Sequence, residues 1–420
     1  MPAFFPRTAL APAVLLTAAT LVLTACGSGS GGASTQVAAS VAVDPAASAA
    51  PTPTPTSRTG TASAGGSVTI TITEDGGCVA TPDSVPAGPV TFVVTNVNAL
   101  GVTEVELVAG QRIVGERENL APGFKSSFSA RLGGGSYQVY CPGANVERTA
   151  FTVTGEAAAQ SADLTALLQQ ATVDYAAYVD DQITFLLLPV QELATAIKAG
   201  NVSAAQSAYI RARPFYERIE PVAESFPELD PAIDLRAGDV EAGTKWTGFH
   251  PIELSLFQKR TTAGLGPLAD QLVANINDLQ AQAKKLSAAT ATGSAGGYQP
   301  FEIANGSAAL LDEVLASKIT GEEEAYSRID LLDFEANVEG SLQAFATLEP
   351  ALDQIDPALV PQISSAFEAL TAALDGYRDP AAPGGWTPYD ELTTQDKKKL
   401  TDALLVVQEP LSAISAKITS

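Results

Sequence analysis

The run Leu164-Thr-Ala-Leu-Leu-Gln-Gln-Ala-Thr-Val-Asp-Tyr-Ala-Ala-Tyr178 places apolar residues three or four positions apart. This spacing puts them on one face of a long amphipathic helix. Helical patterns of the same kind continue to Ser420, with a helix end at Gly200-Asn201 and a loop rich in small residues at 287–300. The sequence therefore predicts an all-α helical bundle over residues 160–420.

Upstream of the helices, residues 67–155 follow a different period. Val68, Ile70 and Ile72 alternate with threonines, which is the pattern of a half-buried β-strand. Further short apolar runs are separated by turns that contain glycine or proline. This region is predicted to form a small antiparallel β-sandwich, so the protein is multidomain.

The N-terminal residues indicate export. Arg7 precedes an apolar stretch over residues 8–23, and the following Leu23-Thr-Ala-Cys26 resembles the bacterial lipobox, whose cysteine is lipid-modified. Residues 1–25 are therefore predicted to be a lipoprotein signal peptide, the alternative being an ordinary secretory signal with a chance cysteine. Residues 26–66, rich in Gly, Ser, Ala, Thr and Pro, are predicted to be a disordered linker. No later stretch has the roughly 18 apolar residues of a membrane span, so the chain is expected to be lipid-anchored through Cys26 and not membrane-spanning.

The charge balance bears on partners. The formal net charge is −23, from 47 acidic and 24 basic residues. Because no run rich in lysine and arginine is present, nucleic acid is not an expected partner. An acidic surface concentrates cations, which is compatible with metal capture and equally with plain solubility.

Two cysteines, Cys78 and Cys141, remain in the predicted sandwich. In an oxidising compartment such a pair forms a disulfide by default. A blue-copper centre needs two histidines, a cysteine and usually a methionine, but His250 and Met1 are the only residues of their types. Any metal in this region must therefore use the two cysteines with oxygen ligands. The nearest candidates are Glu104 and Glu106, which share one face of a predicted strand, unless that face is simply solvated.

The helical region contains two pairs of candidate ligands at helical spacing. Glu217 and Glu220 lie three apart, as do His250 and Glu253, so each pair shares one helix face. Such pairs build carboxylate-bridged iron sites in helical bundles, although exposed glutamates and a structural histidine have the same spacing. Carboxylates with one imidazole suit iron, manganese or zinc, and ferric iron best. Peptidase activity is not expected, because the His-Glu-x-x-His motif is absent.

Five longer stretches carry a resemblance to a known family. They are Glu116-Arg-Glu-Asn-Leu-Ala-Pro-Gly-Phe124, Tyr216-Glu-Arg-Ile-Glu-Pro221, Gly248-Phe-His-Pro-Ile-Glu253, Ser317-Lys-Ile-Thr-Gly-Glu-Glu323 and Asp333-Phe-Glu-Ala-Asn-Val-Glu-Gly340. With them the chain resembles the EfeO-type iron-uptake lipoproteins. The resemblance implies a cupredoxin-like β-sandwich at 67–155 and an imelysin-like helical metal-binding domain with a His-x-x-Glu motif at 160–420.

The resemblance also implies particular ligands. In the helical domain they are Glu217, Glu220, Asp234, His250, Glu253 and Glu313. In the sandwich they are Cys78, Cys141, Glu104 and Glu106. Val139 stands where relatives can offer a methionine, which argues against copper. Pro251 follows the histidine, and because proline is tolerated in the first turn of a helix, His250 is expected at or just before a helix start.

The function implied by the resemblance is extracytoplasmic capture of iron, as Fe³⁺ or Fe²⁺, and its transfer to a membrane iron permease. A haem peroxidase of the same uptake system is the second implied partner. Two alternatives remain from the residues themselves. One is copper-assisted oxidation of ferrous iron in the sandwich, which requires Cys78 and Cys141 as free thiols. The other is a polysaccharide-binding or adhesion lipoprotein without bound ions.

Overall fold

A computed structural model of the protein describes residues 66–74, 77–110, 112–240 and 243–420. The predicted signal peptide at 1–25, the predicted lipidation site Cys26 and the linker up to residue 65 lie outside the described residues. Within the described part, nine strands are followed by ten α-helices. This order confirms the predicted fold class, a β-sandwich before a helical domain.

The strands form two sheets. In chain order they are β1 (Gly66–Thr73), β2 (Gly77–Thr81), β3 (Ser84–Pro86), β4 (Gly88–Asn96), β5 (Val105–Ala109), β6 (Arg112–Arg117), β7 (Lys125–Leu132), β8 (Gly135–Tyr140) and β9 (Arg148–Thr154). One sheet has the order β2-β1-β4-β7 and the other β3-β9-β8-β5-β6. The pairs β1–β4 and β3–β9 are parallel, so the sandwich is mixed and not purely antiparallel as predicted. Parallel neighbours need a crossover, and the chain provides one by visiting the second sheet at β3 before returning at β4.

The sandwich core follows the alternation seen in the sequence. Val68, Ile70 and Ile72 on β1 are fully buried, as the period of two predicts. Phe92 stacks on Phe128 with ring centroids 4.9 Å apart and meets Phe151 of the opposite sheet edge-on at 5.4 Å. The contact between Phe92 and Phe151 joins the two sheets.

The buried apolar residues of the helical layer form one continuous cluster with those of the sandwich. The helices are α1 (Ala162–Lys198), α2 (Val202–Glu217), α3 (Asp230–Asp234), α4 (Phe249–Glu253), α5 (Gly266–Ala291), α6 (Pro300–Ala316), α7 (Asp330–Ile355), α8 (Leu359–Asp375), α9 (Thr394–Leu411) and α10 (Ile414–Thr419). Helix α1 packs along α2, α5 and α7, while α6 packs on α7 and α9. None of the helices in the described ranges is long and apolar enough to cross a bilayer.

Two predicted breaks can be compared with the helix ends. Gly200, at φ +74°, follows the end of α1, and the Asn201 side chain accepts from Ala204 N at 3.0 Å to cap α2, so this prediction is confirmed. The loop predicted at 287–300 is shorter, because α5 continues to Ala291. Alanine and serine at 287–291 are compatible with a helix when its inner face is packed, so their small size alone was misleading.

The sandwich and the helices belong to one compact unit. The Ser129 carbonyl on β7 accepts from Asn305 Nδ2 of α6 at 2.8 Å and from Ser415 Oγ of α10 at 2.7 Å. Arg112 of β6 forms an ion pair with Glu302 of α6. Polar contacts of this kind fix the orientation of the sheets on the helices.

Candidate metal centre

Three helices end at one buried cluster of carboxylates. Glu217 is the last residue of α2, Asp234 of α3 and Glu253 of α4. Glu220 begins the 3₁₀ turn that follows α2. Helix C-termini carry partial negative charge, so this arrangement of anions at helix ends favours cations.

The placement of α4 depends on the residues before it. Trp246 Nε1 donates to Leu235 O at 2.7 Å and Thr247 Oγ1 donates to Ala232 O at 3.0 Å. Gly248 then has φ +92°, and a Cβ at this position would overlap the Ile233 carbonyl. Only glycine fits this conformation and close approach. The segment therefore starts α4 against the end of α3.

His250, the second residue of α4, is 2% exposed. Its Nδ1 lies 3.3 Å from Glu253 Oε2, so the two residues of the His-x-x-Glu pair are in contact. Its Nε2 lies 3.4 Å from Asp234 Oδ1 and 3.7 Å from Glu323 Oε1, yet it has no hydrogen-bond partner among the described residues. A buried nitrogen between two carboxylates without a hydrogen bond is a suitable position for a metal ligand.

Glu253 is fully buried and its two oxygens have different partners. Oε1 accepts from the backbone N–H groups of Tyr326 and Ser327, each at 2.7 Å. Oε2 faces His250. Glu253 thus connects α4 to the loop before α7 and orients the imidazole, while Oε2 remains in reach of an ion.

A fully buried arginine, Arg213 of α2, lies among the carboxylates. It contacts two of the predicted ligands, Glu217 and Asp234. It also pairs with Glu323, Glu324 and Asp333 at 3.1, 2.9 and 3.0 Å. Because a buried carboxylate without a counter-charge is strongly unfavourable, Arg213 makes the cluster compatible with a folded core.

Lys318 supplies a second buried positive charge on the opposite side. Its Nζ lies 3.1 Å from Glu217 Oε2 and 2.7 Å from Glu220 Oε2. Asn337 Nδ2 of α7 donates to the same two oxygens at 2.9 and 2.6 Å. Lys318 and Asn337 therefore hold Glu217 and Glu220 together. Their donor groups lie where a bound ion would lie.

The ligand atoms form overlapping groups of metal-site dimensions. Each group has its ligand atoms within 4.8 Å of one another, and the groups in the helical layer are Asp234 with His250 and Glu323, His250 with Glu253 and Glu324, and Glu217 with Glu220, Asp234 and Glu323. A cavity of about 10 Å³, room for about one water, borders Lys318, Glu323 and Asp333.

The charges of the cluster shift its pKa values in both directions. Burial opposes the imidazolium, but Asp234 and Glu253 outweigh burial and raise the pKa of His250 to about 10. Although burial opposes its ionisation, Arg213 and His250 hold the pKa of Asp234 well below its ordinary range. Burial raises the pKa of Glu324 well above its ordinary value. The cluster therefore holds protons that a bound ion would replace.

The structure brings together Glu217, Glu220, Asp234, His250 and Glu253 from the predicted set. The sixth residue, Glu313 on α6, lies beside them and is not a member of these groups. Its Oε1 accepts from Arg236 Nη1 at 3.0 Å. Glu313 is thus placed to orient Arg236, which also lies 3.3 Å from Glu323 Oε2.

The predicted ligands of the sandwich are not assembled into one site. Cys78 and Cys141 are buried and joined by a disulfide, so the expectation that they bind metal as thiolates is wrong for this structure. A disulfide sulfur has given up the thiolate charge that makes cysteine a good ligand. Glu104 contacts Glu106 as the strand pattern predicts, but its metal-compatible grouping is with Glu116 and Glu118.

Sequence reasoning missed most of the charged partners of the cluster. They are Arg213, Lys318, Glu323, Glu324 and Asp333. Four of them fall within or next to stretches noted for their family resemblance, Ser317-Lys-Ile-Thr-Gly-Glu-Glu323 and Asp333-Phe-Glu-Ala-Asn-Val-Glu-Gly340. An arginine within an otherwise apolar helix face gave the remaining signal, since arginine is rarely buried without anionic partners.

The protein has two parts, a β-sandwich and a set of helices packed on it. The helices enclose a cluster of carboxylates and one imidazole, which is a geometry suited to a cation. The family model of Imelysin (Peptidase_M75) matches residues 171–414. The proteins named iron uptake system component EfeO from Escherichia coli O157:H7, Escherichia coli strain K12 and Shigella flexneri are each 37% identical over 345 residues, which cover 81% of this chain and 88% of the relative. The chain belongs to the EfeO family, and the resemblance seen in its sequence is confirmed.

Proposed function

We propose that this protein is the extracytoplasmic iron-binding component of an iron uptake system. It captures iron with the cluster around His250 and passes the ion to a membrane permease. The observation that carries the proposal is His250 Nε2, which is buried and lies between the carboxylates of Asp234 and Glu323 without a hydrogen bond to any residue that the structure describes. The iron uptake named for the relatives supports the same role.

The donor set favours iron among the candidate ions. Carboxylate oxygens surround one imidazole nitrogen, and no thiolate is present in the helical cluster. Such a set suits hard and borderline ions, whereas Cu(I) prefers sulfur. Manganese and zinc share part of this preference, so they are competitors that a titration must include.

The buried cations give the cluster a means of reversible binding. Lys318 Nζ and Arg213 hold the carboxylates together before an ion binds. An arriving ion takes over Glu217 and Glu220 from Lys318, and the ammonium returns when the ion leaves. Because the same oxygens serve both partners, capture is coupled to a charge exchange that also makes release possible.

Lipidation at Cys26 would keep the protein at the membrane surface next to its permease. The family resemblance implies this permease and a haem peroxidase as partners. We expect a Cys26→Ser variant to leave the membrane fraction and appear with the released proteins, while its iron affinity is unchanged. Fractionation of cells that express both forms tests this expectation, and membrane retention of the variant would contradict it.

The experiment that tests the proposal is a calorimetric titration of the protein without residues 1–26. Fe(III)-citrate, Fe(II), Mn(II), Zn(II) and Cu(II) are compared on the parent and on a His250→Gln/Asp234→Asn variant. Both substitutions preserve volume, so a loss of affinity reports on ligation and not on a cavity. Iron binding in the parent and its loss in the variant are the expected results.

The matched control is Glu409→Gln, an exposed carboxylate on α9, which is expected to bind iron like the parent. Iron binding that is absent, or the same in the double variant, would contradict the proposal. Tight binding of a polysaccharide after complete chelation, with no iron affinity, would support the adhesion alternative. The copper-assisted oxidation alternative requires free thiols and is overturned by the disulfide between Cys78 and Cys141.

A further inference from the structure

A second group of carboxylates lies where the five-stranded sheet meets the helical layer. The edge strand β6 packs against α6 and the 3₁₀ turn Glu220–Ser225. Val105 of β5 is opposite Arg117 of β6, so Glu104 and Glu118, one residue further on each side, come opposite each other. Glu116 and Glu118 are two apart and project to the same face.

The three side chains form a compact oxygen-lined group. One carboxylate oxygen each from Glu104, Glu116 and Glu118 lies within 4.8 Å of the others. Glu116 is 8% exposed, and its Oε2 has no hydrogen-bond partner in the part of the chain that the structure describes. Leaving such a buried atom without a hydrogen bond is unfavourable, so a missing partner is indicated at this point.

The side chains around the group do not supply that partner. Arg117, between the two glutamates, turns away and donates from Nε to Ser127 O at 2.9 Å. None of the three carboxylates forms an ion pair with another described residue, in contrast to the cluster around Arg213. The 3₁₀ turn Glu220–Ser225 of the helical layer packs on β6, and burial followed by the charges of Glu118 and Glu104 raises the pKa of Glu224 in this turn.

We propose that Glu104, Glu116 and Glu118 bind an oxygen-preferring divalent cation of the Ca²⁺ or Mn²⁺ type. An all-carboxylate donor set without nitrogen or sulfur suits these ions. The bound cation is the partner that Glu116 Oε2 lacks, and it joins the start of β5 to the end of β6. The site uses none of the side chains that hold iron in the proposed function.

The test is a Mn²⁺ titration followed by the electron paramagnetic resonance signal of the free ion. In this experiment the parent is the variant that carries His250→Gln and Asp234→Asn, so that the helical cluster does not contribute to Mn²⁺ binding. One saturable binding phase, displaced by Ca²⁺, is expected. Adding Glu116→Gln and Glu118→Gln is expected to lower the Mn²⁺ affinity by at least about tenfold, as even outer partners of metal sites do.

The matched control is Glu156→Gln, an exposed glutamate after β9, which is expected to leave Mn²⁺ affinity unchanged. If the Glu116/Glu118 variant does not fold, Glu104→Gln replaces it, with circular dichroism as the check. Thermal unfolding of the parent gives a second readout, because a bound ion raises the midpoint. Unchanged affinity in the variants, or no Mn²⁺ binding at about 1 mM, the weak limit of extracytoplasmic Ca²⁺ modules, would overturn the proposal.

Discussion

Arg213 and His250 carry positive charge at the middle of a group of buried carboxylates. Arg213 is fully buried and pairs with five acidic side chains, while His250 contacts Asp234 and Glu253. At the scale of single residues, these contacts explain how so many acids fold into one core. An iron ion bound at the proposed site would have to displace some of these contacts.

His250 is the only histidine of the chain, so its protonation can be measured without ambiguity. Asp234 and Glu253 outweigh burial and raise its pKa to about 10, against an ordinary 6.5. We therefore expect the imidazole signals in nuclear magnetic resonance spectra of the iron-free protein to titrate near pH 10. Asp234→Asn is expected to lower this pKa.

The same shift has a defined effect on stability. Because the pKa of His250 is higher in the folded state, its protonation stabilises the folded state. This stabilisation is complete below about pH 6.5 and is lost as the pH rises through about 10. The stability difference between the parent and His250→Gln is expected to shrink over this interval, as measured by denaturant unfolding. A histidine that titrates at or below 6.5 in the iron-free protein would contradict both expectations.

Replacing Arg213 tests its role as the internal counter-charge. Arg213→Met keeps similar length but leaves the carboxylates uncompensated, so we expect a loss of about 3–5 kcal/mol in the free energy of unfolding. Arg211→Met, two residues away on the same helix, is the control, because Arg211 is about half exposed and pairs with Glu192 at the surface. Its loss is expected to stay below about 1 kcal/mol, and equal losses would argue against the counter-charge role.

At the scale of elements, the short helix α4 determines where the imidazole lies. Its start is fixed by hydrogen bonds that Trp246 and Thr247 donate to backbone carbonyls in and just after α3. Its end is fixed by Glu253, which accepts hydrogen bonds from two backbone N–H groups of the loop before α7. Because both ends are held, a small displacement of either would move His250 relative to Asp234.

Gly248→Ala is predicted to disturb this element specifically. The added Cβ would overlap the Ile233 carbonyl at a positive φ, so a loss of more than about 3 kcal/mol in stability is expected together with weaker iron binding. Gly264→Ala is the control, since Gly264 also has a positive φ but open space around it. It is expected to cost about 1 kcal/mol and to leave iron binding unchanged. Calorimetry and denaturant unfolding of both variants distinguish these outcomes.

Local patterns in the sequence were sufficient for several elements. The alternation at Val68, Ile70 and Ile72 predicted a strand with one buried face, and Gly200-Asn201 predicted the end of α1. These features depend on short-range periodicity and capping. The parallel pairing of β1 with β4 and the continuation of α5 to Ala291 could not be predicted in this way, because both depend on contacts between distant segments.

The site was predictable to a similar degree. The pair His250/Glu253 followed from helical spacing, and Asp234 from the family resemblance. Glu217 and Glu220 do lie together, but not on one helix as predicted, because α2 ends at Glu217 and Glu220 begins the next 3₁₀ turn. Arg213, Glu323 and Glu324 were missed, since the sequence does not show that α2 and the loop before α7 meet in space. A disulfide between Cys78 and Cys141 was the default expectation from the sequence. Only the structure, in which the two are joined, argues against a metal-binding role for these cysteines.

At the scale of the whole molecule, the sandwich and the helices have separate means of stabilisation. The disulfide closes a separation of 63 residues within the sandwich, while the helical cluster is stabilised by its buried charges. The contact between them is made by polar groups such as Ser129 O with Asn305 and Ser415. We therefore expect changes to the disulfide to affect stability and not iron binding.

A Cys78→Ser/Cys141→Ser variant tests this separation. Removing a disulfide of this loop length is expected to lower the free energy of unfolding by about 2–5 kcal/mol. Iron affinity measured by calorimetry is expected to remain that of the parent, because neither cysteine contacts the helical cluster. Loss of iron binding in a variant that remains folded by circular dichroism would instead indicate a role of the sandwich in capture.

The proposed capture of iron depends most on His250 Nε2 as a ligand. Anomalous diffraction at the iron absorption edge, from crystals of the iron-loaded protein, tests this directly. We predict a peak within bonding distance of His250 Nε2 and of at least one carboxylate oxygen among Asp234, Glu253 and Glu323, with Lys318 Nζ moved away from Glu217. An iron peak elsewhere, with Nε2 still without a ligand and Lys318 in place, would contradict the account.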